Sequence, residues 1–233
     1  MARLVVMGHL PALILMMAWC GPVVGYEPPT PAITEAGAEL IIQFEIGSRR
    51  TYETRYLHPI CPACNGTASG PTWGIGYDAG HQPARVIRED WAFHQDVDQM
   101  ASASGFTGRS AIPVVASMQN ITVHWPDALV VFRGSTVIKY RSIARRAFGE
   151  KFDLLPPFTQ DSLVSLVYNR GASKTGRSRL EIAIIADTCV PALDVECIAK
   201  NLEAMERIWK NSSIEVGMKR RRYAEAELAR RGL

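Results

Sequence analysis

One short stretch carries the β-forming signal of this chain and most constrains what the chain can fold into. Residues Thr72–Asp78 read TWGIGYD, and this alternation of large residues with glycines predicts a short strand or hairpin arm. From His81 almost to the end, the pattern of apolar residues predicts helices instead. The sequence therefore predicts an α+β domain that is mainly helical, with a small β element.

The helical part divides into segments that the sequence bounds. Thr34 is a good capping residue for a first helix, which begins at Glu35 and ends near Gly47. The other predicted helices are Arg88–Ser104, Arg109–Met118, Pro126–Phe148, Thr159–Asn169, Ser178–Asp187, Asp194–Trp209 and Val216–Arg230. Because Thr159–Asn169 is apolar nearly all round, we expect it to be the buried central helix.

The first 25 residues differ from the rest of the chain. They contain one charged residue, Arg3, then the apolar run Leu10–Cys20, then small residues up to Gly25. This order predicts a signal peptide, residues 1–25, and an exported domain, residues 26–233, that is periplasmic or secreted. A signal anchor is the alternative, because Leu4–Gly25 is long enough to span a membrane although prolines interrupt it. Only this segment is expected to contact a membrane.

The cysteines support export. The chain contains five, and removal of the signal peptide leaves Cys61, Cys64, Cys189 and Cys197. An even number in an exported chain permits two disulfides, and three pairings are possible. We favour the two local pairs, Cys61 with Cys64 and Cys189 with Cys197. Their spacing suits a zinc site poorly, so no metal is expected.

The charge of the chain is nearly balanced, with 26 basic and 23 acidic residues. This balance excludes a protein that coats nucleic acid, and no nucleic-acid partner is expected. The basic residues concentrate in the last predicted helix, within Lys219–Arg231. We interpret this concentration as a solvated helix face, and a binding site for anionic polymers is the alternative.

Three acidic residues are candidates for chemistry. Glu45 lies at the C-terminal end of the first helix, where the helix dipole disfavours a negative charge and so favours the protonated form that a general acid needs. Asp78 and Thr72 flank the glycine-rich segment 74–76, although Asp78 is equally suited to capping a turn. Glu53 is either a third acid near the site or a surface residue paired with an arginine. The glycine spacing matches no phosphate-binding loop.

Four segments resemble the phage-type lysozymes, the endolysin muramidases of glycoside hydrolase family 24. Residues Ile33–Gly37, with Phe44 and Glu45 downstream, resemble the start of that family. Pro71–Asp78 is similar to its threonine-led glycine strand, and Leu163–Gly171 resembles its central helix. The segment 217–228 resembles its closing helix. The four matches occur in family order over nearly the whole mature chain.

The resemblance implies a lysozyme-like fold and a site that uses Glu45, Thr72 and Asp78. In the family the glutamate of the first helix is the general acid, which matches Glu45. The order glutamate, threonine, aspartate is similar to that in the muramidase domain of pesticin, which matches Thr72 and Asp78. The implied reaction is inverting hydrolysis of the β-1,4 bond between N-acetylmuramic acid and N-acetylglucosamine. The implied reaction needs no cofactor, and the expected partner is the peptidoglycan glycan strand, bound by a monomer.

The chain departs from the family at one position that bears on the second carboxylate. Many members have an aspartate after a tyrosine in a YxD context, whereas here Tyr52 is followed by Glu53 and Thr54. Glu53 is therefore kept as the reserve for Asp78, and Tyr77, Glu53 and Asn169 are expected to bind substrate. Two other functions stay open: a lytic transglycosylase that uses the helix glutamate alone, and a non-catalytic wall-binding relative.

Overall fold

A computed structural model describes residues 32–65 and 69–233, and the predicted signal peptide lies outside this part of the chain. The described residues form a mainly helical α+β domain with one small sheet, as predicted. Its helices are α1 (Glu35–Glu45), α2 (Arg49–Arg55), α3 (Ala84–Asp90), α4 (Val97–Ala101), α5 (Ala111–Ser117), α6 (Trp125–Val131), α7 (Val137–Phe148), α8 (Pro157–Arg170), α9 (Leu180–Ile184), α10 (Val190–Ala192), α11 (Val195–Ala204) and α12 (Glu215–Arg230). Within the described residues, no helix is long and apolar enough to cross a membrane.

Helix α1 starts at the predicted cap and is fixed to α8. The Thr34 hydroxyl accepts a hydrogen bond from the backbone N–H of Gly37 at 3.1 Å. The same hydroxyl and the backbone N–H of Thr34 both donate to the carboxylate of Asp161 on α8. A side chain at position 37 would meet Asp161 at 2.6 Å, so only glycine allows this close approach. These contacts set the direction of α1, whose last residue is Glu45.

The predicted β element is an antiparallel hairpin. Strands β1 (Thr72–Trp73) and β2 (Tyr77–Asp78) pair with Thr72 opposite Asp78. The turn between them uses Gly74 and Gly76 at φ values of +58° and +69°, which glycine adopts without strain. Trp73 and Tyr77 are both buried, and their stacked rings anchor the hairpin to the core.

The helices beside the hairpin differ from the prediction. The predicted helix Arg88–Ser104 is divided into α3 and α4, because the chain turns at Trp91 and buries its indole against Trp73. No glycine or proline marks this break, so the sequence does not reveal it. The pattern also does not predict α2, where Tyr52 is the apolar residue that becomes buried. The Tyr52 hydroxyl donates to the carbonyl of Val123 at 2.8 Å, and this contact fixes α2.

The predicted helix Pro126–Phe148 exists as α6 and α7, joined by the π-helical turn Phe132–Thr136. A π-helical turn adds a residue to the helix and rotates the residues after it, and such turns are common at functional sites. Ser135 and Thr136 of this turn line a cavity beside the hairpin.

Helix α8 is the buried central helix, as predicted. Every residue from Thr159 to Val167 is buried, including polar side chains. Helices α1, α7 and α12 pack around it. The structure contains disulfides between Cys61 and Cys64 and between Cys189 and Cys197, which are the two local pairs that the sequence favours. Two disulfides indicate an oxidising compartment.

Candidate active site

Glu45 ends α1 at the edge of a cleft and is paired with an arginine from the last helix. Its Oε1 accepts a hydrogen bond from Nη1 of Arg221 at 2.6 Å, across 176 residues of sequence. The side chain of Glu45 is 27% exposed, whereas that of Arg221 is 4% exposed. One side of the carboxyl group is therefore exposed to solvent in the cleft, and the other side contacts a buried cation.

Arg221 belongs to a buried ionic cluster between α8 and α12. Oε1 of Glu225, which is fully buried, accepts from Arg221 at 3.3 Å, from Arg222 at 2.9 Å and from Ser165 at 2.7 Å. Burial lowers the pKa of Arg222 to about 10. Because each guanidinium has a carboxylate partner, the charges are compensated inside the core.

This cluster corrects the interpretation of the basic last helix for two of the six basic residues within Lys219–Arg231, whereas Lys219, Arg220 and Arg231 are exposed as expected. Arg221 and Arg222 are 3% and 0% exposed, so they do not lie on a solvated face and cannot bind a polymer from solution. The sequence pattern fails here because a run of arginines resembles a surface stripe. The signal that was available is Glu225, which follows Arg222 by three residues and Arg221 by four, the spacing at which helical side chains meet.

Glu45 and Thr72 line one cavity of about 420 Å³, together with the hairpin turn. The other lining residues are Ile46, Tyr56, Ile60, Pro62, Trp73, Gly74 and Gly76. The Thr72 hydroxyl donates to the carbonyl of Gly70 at 3.0 Å. Its hydrogen is therefore in use, and its oxygen is left to accept a hydrogen bond from a ligand or water.

Asp78 lines a second cavity, of about 290 Å³, on the other side of the turn. Gly76 borders both cavities, so the two spaces adjoin at the hairpin. Residues directly opposite in an antiparallel pair lie on the same face, which places the side chains of Thr72 and Asp78 side by side. The backbone N–H of Gly70 lies 3.2 Å from both carboxylate oxygens of Asp78 and orients the group.

The two carboxylates also have a residue in common that sequence reasoning missed. Tyr140 of α7 lines the cavity of Asp78. Burial raises the pKa of Tyr140, and the negative charges of Glu45 and Asp78 raise it further. Both carboxylates therefore lie close enough to act on one phenol. In the sequence, Tyr140 is one aromatic residue in a helical pattern and carries no signal of this role.

The three predicted substrate-binding residues lie in different surroundings. The Tyr77 ring is buried at the border of the Asp78 cavity, and its hydroxyl donates to Asp90 at 2.7 Å; its pKa is raised, first by burial and then by this hydrogen bond. Asn169 accepts a hydrogen bond from Arg222 at 3.1 Å. Glu53 is exposed on α2 and pairs with Arg49 at 2.7 Å, and it borders neither cavity.

The loop that the disulfide Cys61–Cys64 closes contributes Pro62 to the wall of the Glu45 cavity. Pro62, which lies between the two cysteines, lines that cavity and also an open groove of about 390 Å³ on the outer side. Ile112 and Val115 complete the groove. The bridge therefore closes a short loop whose inner surface faces the cleft.

Comparisons with known proteins add no family. No protein-family model matches the chain, and no curated protein matches it.

Within residues 32–65 and 69–233, no group of three or more acidic, histidine or cysteine side chains is placed to hold a metal ion. The site contains the Glu45 carboxyl group beside the buried guanidinium of Arg221 and the Asp78 carboxylate across the glycine turn. The hydroxyls of Thr72 and Tyr140 lie near them.

Proposed function

We propose that this chain is a peptidoglycan hydrolase, a muramidase of the phage-type lysozyme kind with a lysozyme-like fold. The observation that carries the proposal is the placement of two carboxylates around one glycine turn. Glu45 lines the cavity on one side of the turn, and Asp78 lines the adjoining cavity on the other side. The charges of both carboxylates act on Tyr140. A pair of carboxyl groups flanking the scissile bond is the arrangement that most glycoside hydrolases use.

Glu45 is the proposed general acid. It protonates the oxygen that leaves N-acetylmuramic acid and remains as a carboxylate. Arg221, at 2.6 Å, stabilises the negative charge that develops on Glu45 as the proton departs. The charge of this guanidinium is shared with Glu225. Because the general acid must be protonated and the general base ionised, we expect a bell-shaped dependence of activity on pH.

Asp78 is the proposed general base, and its expected product has inverted configuration. In inverting enzymes the carboxyl groups lie roughly 6.5–9.5 Å apart, so that a water molecule fits between the base and the sugar. The neighbouring Thr72 oxygen is available to accept a hydrogen bond from that water. Asp78 suits this role better than Glu53, because Glu53 borders neither cavity and is paired with Arg49 on the surface.

The test compares Glu45→Gln with Glu39→Gln. Both residues lie on α1, but Glu39 is exposed and lies outside the cleft cavities. The turbidity of purified peptidoglycan should fall with the wild type and with Glu39→Gln, whereas Glu45→Gln should be slower by about 10²- to 10⁴-fold. Unchanged lysis by Glu45→Gln contradicts the assignment, and an inert wild type that still binds the wall indicates a non-catalytic relative.

Product analysis separates hydrolysis from the transglycosylase alternative. Hydrolysis gives a reducing N-acetylmuramic acid end, whereas a lytic transglycosylase gives an anhydromuramic end. The same products should disappear with Asp78→Asn and persist with Glu53→Gln. If only the Glu53 change abolishes them, Glu53 is the second carboxylate.

The proposed partner is the glycan strand of peptidoglycan, and the proposed location is outside the cytoplasm. The disulfides support an oxidising compartment. We propose that residues 1–25 direct export and that residues 26–233 act as a monomer without a cofactor. N-terminal sequencing of the exported protein should begin close to Tyr26, and a start at Met1 indicates a retained anchor.

A further inference from the structure

Tyr140 is held against the turn that separates the two carboxylates. Its ring packs on that of Tyr168, with the ring centroids 4.4 Å apart. The Tyr168 hydroxyl donates to the carbonyl of Ile75, the middle residue of the turn, at 2.9 Å. The ring of Tyr140 is thus fixed relative to the hairpin through a second tyrosine.

The hydroxyl of Tyr140 is free for a ligand. Among residues 32–65 and 69–233 it has no hydrogen-bond partner, and it is not one of the fully buried polar atoms. The raised pKa keeps the phenol neutral over the pH range in which carboxyl groups titrate. The hydroxyl therefore always has a hydrogen to donate, and it adds no negative charge beside Glu45 and Asp78.

The two proposed site residues on the hairpin, Asp78 and Thr72, lack this ability; Ser135, Thr136 and Lys139 also line the Asp78 cavity. Asp78, when ionised, only accepts hydrogen bonds. Thr72 already donates its hydrogen to Gly70, so towards the cleft its oxygen also accepts. A water molecule between these two groups can give each of them one hydrogen. One lone pair of that water then attacks the sugar. A hydrogen bond donated to the other lone pair fixes the orientation of the water.

We propose that Tyr140 is a further residue of this site, whose hydroxyl donates a hydrogen bond to the attacking water beside Asp78. The inference rests on the proposed hydrolase function. In the step, the bond from the water oxygen to the anomeric carbon forms and the bond from that carbon to the glycosidic oxygen breaks. Asp78 takes a proton from the water, and Glu45 gives its proton to the leaving oxygen. Tyr140 keeps its own proton and only orients the water.

The experiment measures kcat and KM on soluble peptidoglycan fragments for Tyr140→Phe, Tyr140→Leu and Tyr223→Phe. Tyr140→Phe removes the hydroxyl but keeps the ring on Tyr168, so kcat should fall by about ten- to hundredfold while KM and Tm stay within about twofold and about 2 °C of wild type. Tyr140→Leu should lower kcat at least as much. Tyr223, an exposed tyrosine of α12, is the control and should leave both constants unchanged.

Three outcomes overturn the inference. If Tyr140→Phe retains kcat and only Tyr140→Leu loses it, the ring acts through packing. If KM rises while kcat is kept, the hydroxyl binds the sugar and not the water. A fall in kcat that is matched by a large fall in Tm indicates a structural role. The comparison requires that wild type be active and Glu45→Gln inactive, so failure of the hydrolase proposal is detected first.

Discussion

The two carboxylates of the site are held in opposite ways. Glu45 is held by Arg221, a residue 176 positions away, and Arg221 is held in turn by the buried Glu225. Asp78 is held by the backbone of Gly70, eight positions away, and by its place in a hairpin with two glycines. One side of the cleft thus depends on packing between distant helices, and the other depends on local backbone geometry.

The two sides are therefore vulnerable to different changes. The helical side depends for its stability on compensated buried charges, which become costly when one partner is lost. The hairpin side depends on positions where only glycine fits. Damage to the first should reduce the stability of the whole domain, whereas damage to the second should reduce activity more than its effect on stability suggests.

Glu225→Ala should have the strongest effect on stability. This change leaves two buried guanidiniums, Arg221 and Arg222, without their shared carboxylate. The free energy of unfolding should fall by about 3–5 kcal/mol in urea or thermal unfolding. Glu227→Ala, an exposed position of the same helix, is the control and should change it by about 0.5 kcal/mol or less. Equal losses in the two variants would mean that the cluster does not stabilise the helical side.

The next effect is expected at the hairpin turn. Gly76→Ala puts an ordinary side chain at φ +69°, and its Cβ would lie 2.7 Å from the Tyr168 hydroxyl. Gly105 also has a positive φ, +81°, with no atom near its missing Cβ, so Gly105→Ala measures the backbone cost alone, about 1–2 kcal/mol. Gly76→Ala should cost about 1–3 kcal/mol more, because it also overpacks the site.

The double variant Gly76→Ala/Tyr168→Phe isolates the clash at the turn. Removing the Tyr168 hydroxyl should recover part of the stability that Gly76→Ala loses beyond Gly105→Ala, but not the part lost to backbone strain. Urea unfolding of wild type and these variants gives each difference. If Gly76→Ala costs no more than Gly105→Ala, a Cβ at position 76 does not clash with the Tyr168 hydroxyl.

The two disulfides should separate stability from activity. Replacing Cys189 and Cys197 by serine opens the longer loop, eight residues, and should lower the free energy of unfolding by about 2–3 kcal/mol with little change in specific activity. Replacing Cys61 and Cys64 opens a loop of three residues and should cost less stability, about 2 kcal/mol. It should nevertheless reduce lysis, because Pro62 forms part of the Glu45 cavity. Equal activity in both double variants would show that the Cys61–Cys64 loop does not contribute to the function of the cleft.

The weakest effect is electrostatic and can be followed by NMR titration of the tyrosine ring carbons. Negative charge near a phenol disfavours its ionised form, so removing that charge lowers the pKa. Asp78→Asn should lower the pKa of Tyr140 but not act directly on that of Tyr168, whereas Glu45→Gln should lower both. Burial, the larger cause, persists in every variant and keeps both values above the ordinary range. If the pKa of Tyr140 is the same in Asp78→Asn as in wild type, the charge of Asp78 does not act on Tyr140, which contradicts the proximity inferred here.

Much of the architecture is predictable from local patterns. Three local patterns predict structures that are present. Thr34 predicts the start of α1, the apolar stretch predicts the buried helix α8, and the glycines predict the turn at 74–76. The break at Trp91 is not predictable, because it depends on burial of an indole against Trp73 and not on a helix-breaking residue. The same is true of α2, which depends on one buried tyrosine.

Local sequence was sufficient for the local geometry: most of the helical segments, the position of the hairpin turn and the cysteines that are close enough to pair. Helix periodicity, capping and glycine conformation act over a few residues, so they can be read directly from the chain. The folded chain was needed to reveal that Arg221 and Arg222 are buried, that Arg221 meets Glu45, and that Tyr140 lies near both carboxylates. Burial and pairing of charges depend on which distant surfaces meet, and a single helix pattern does not contain that information.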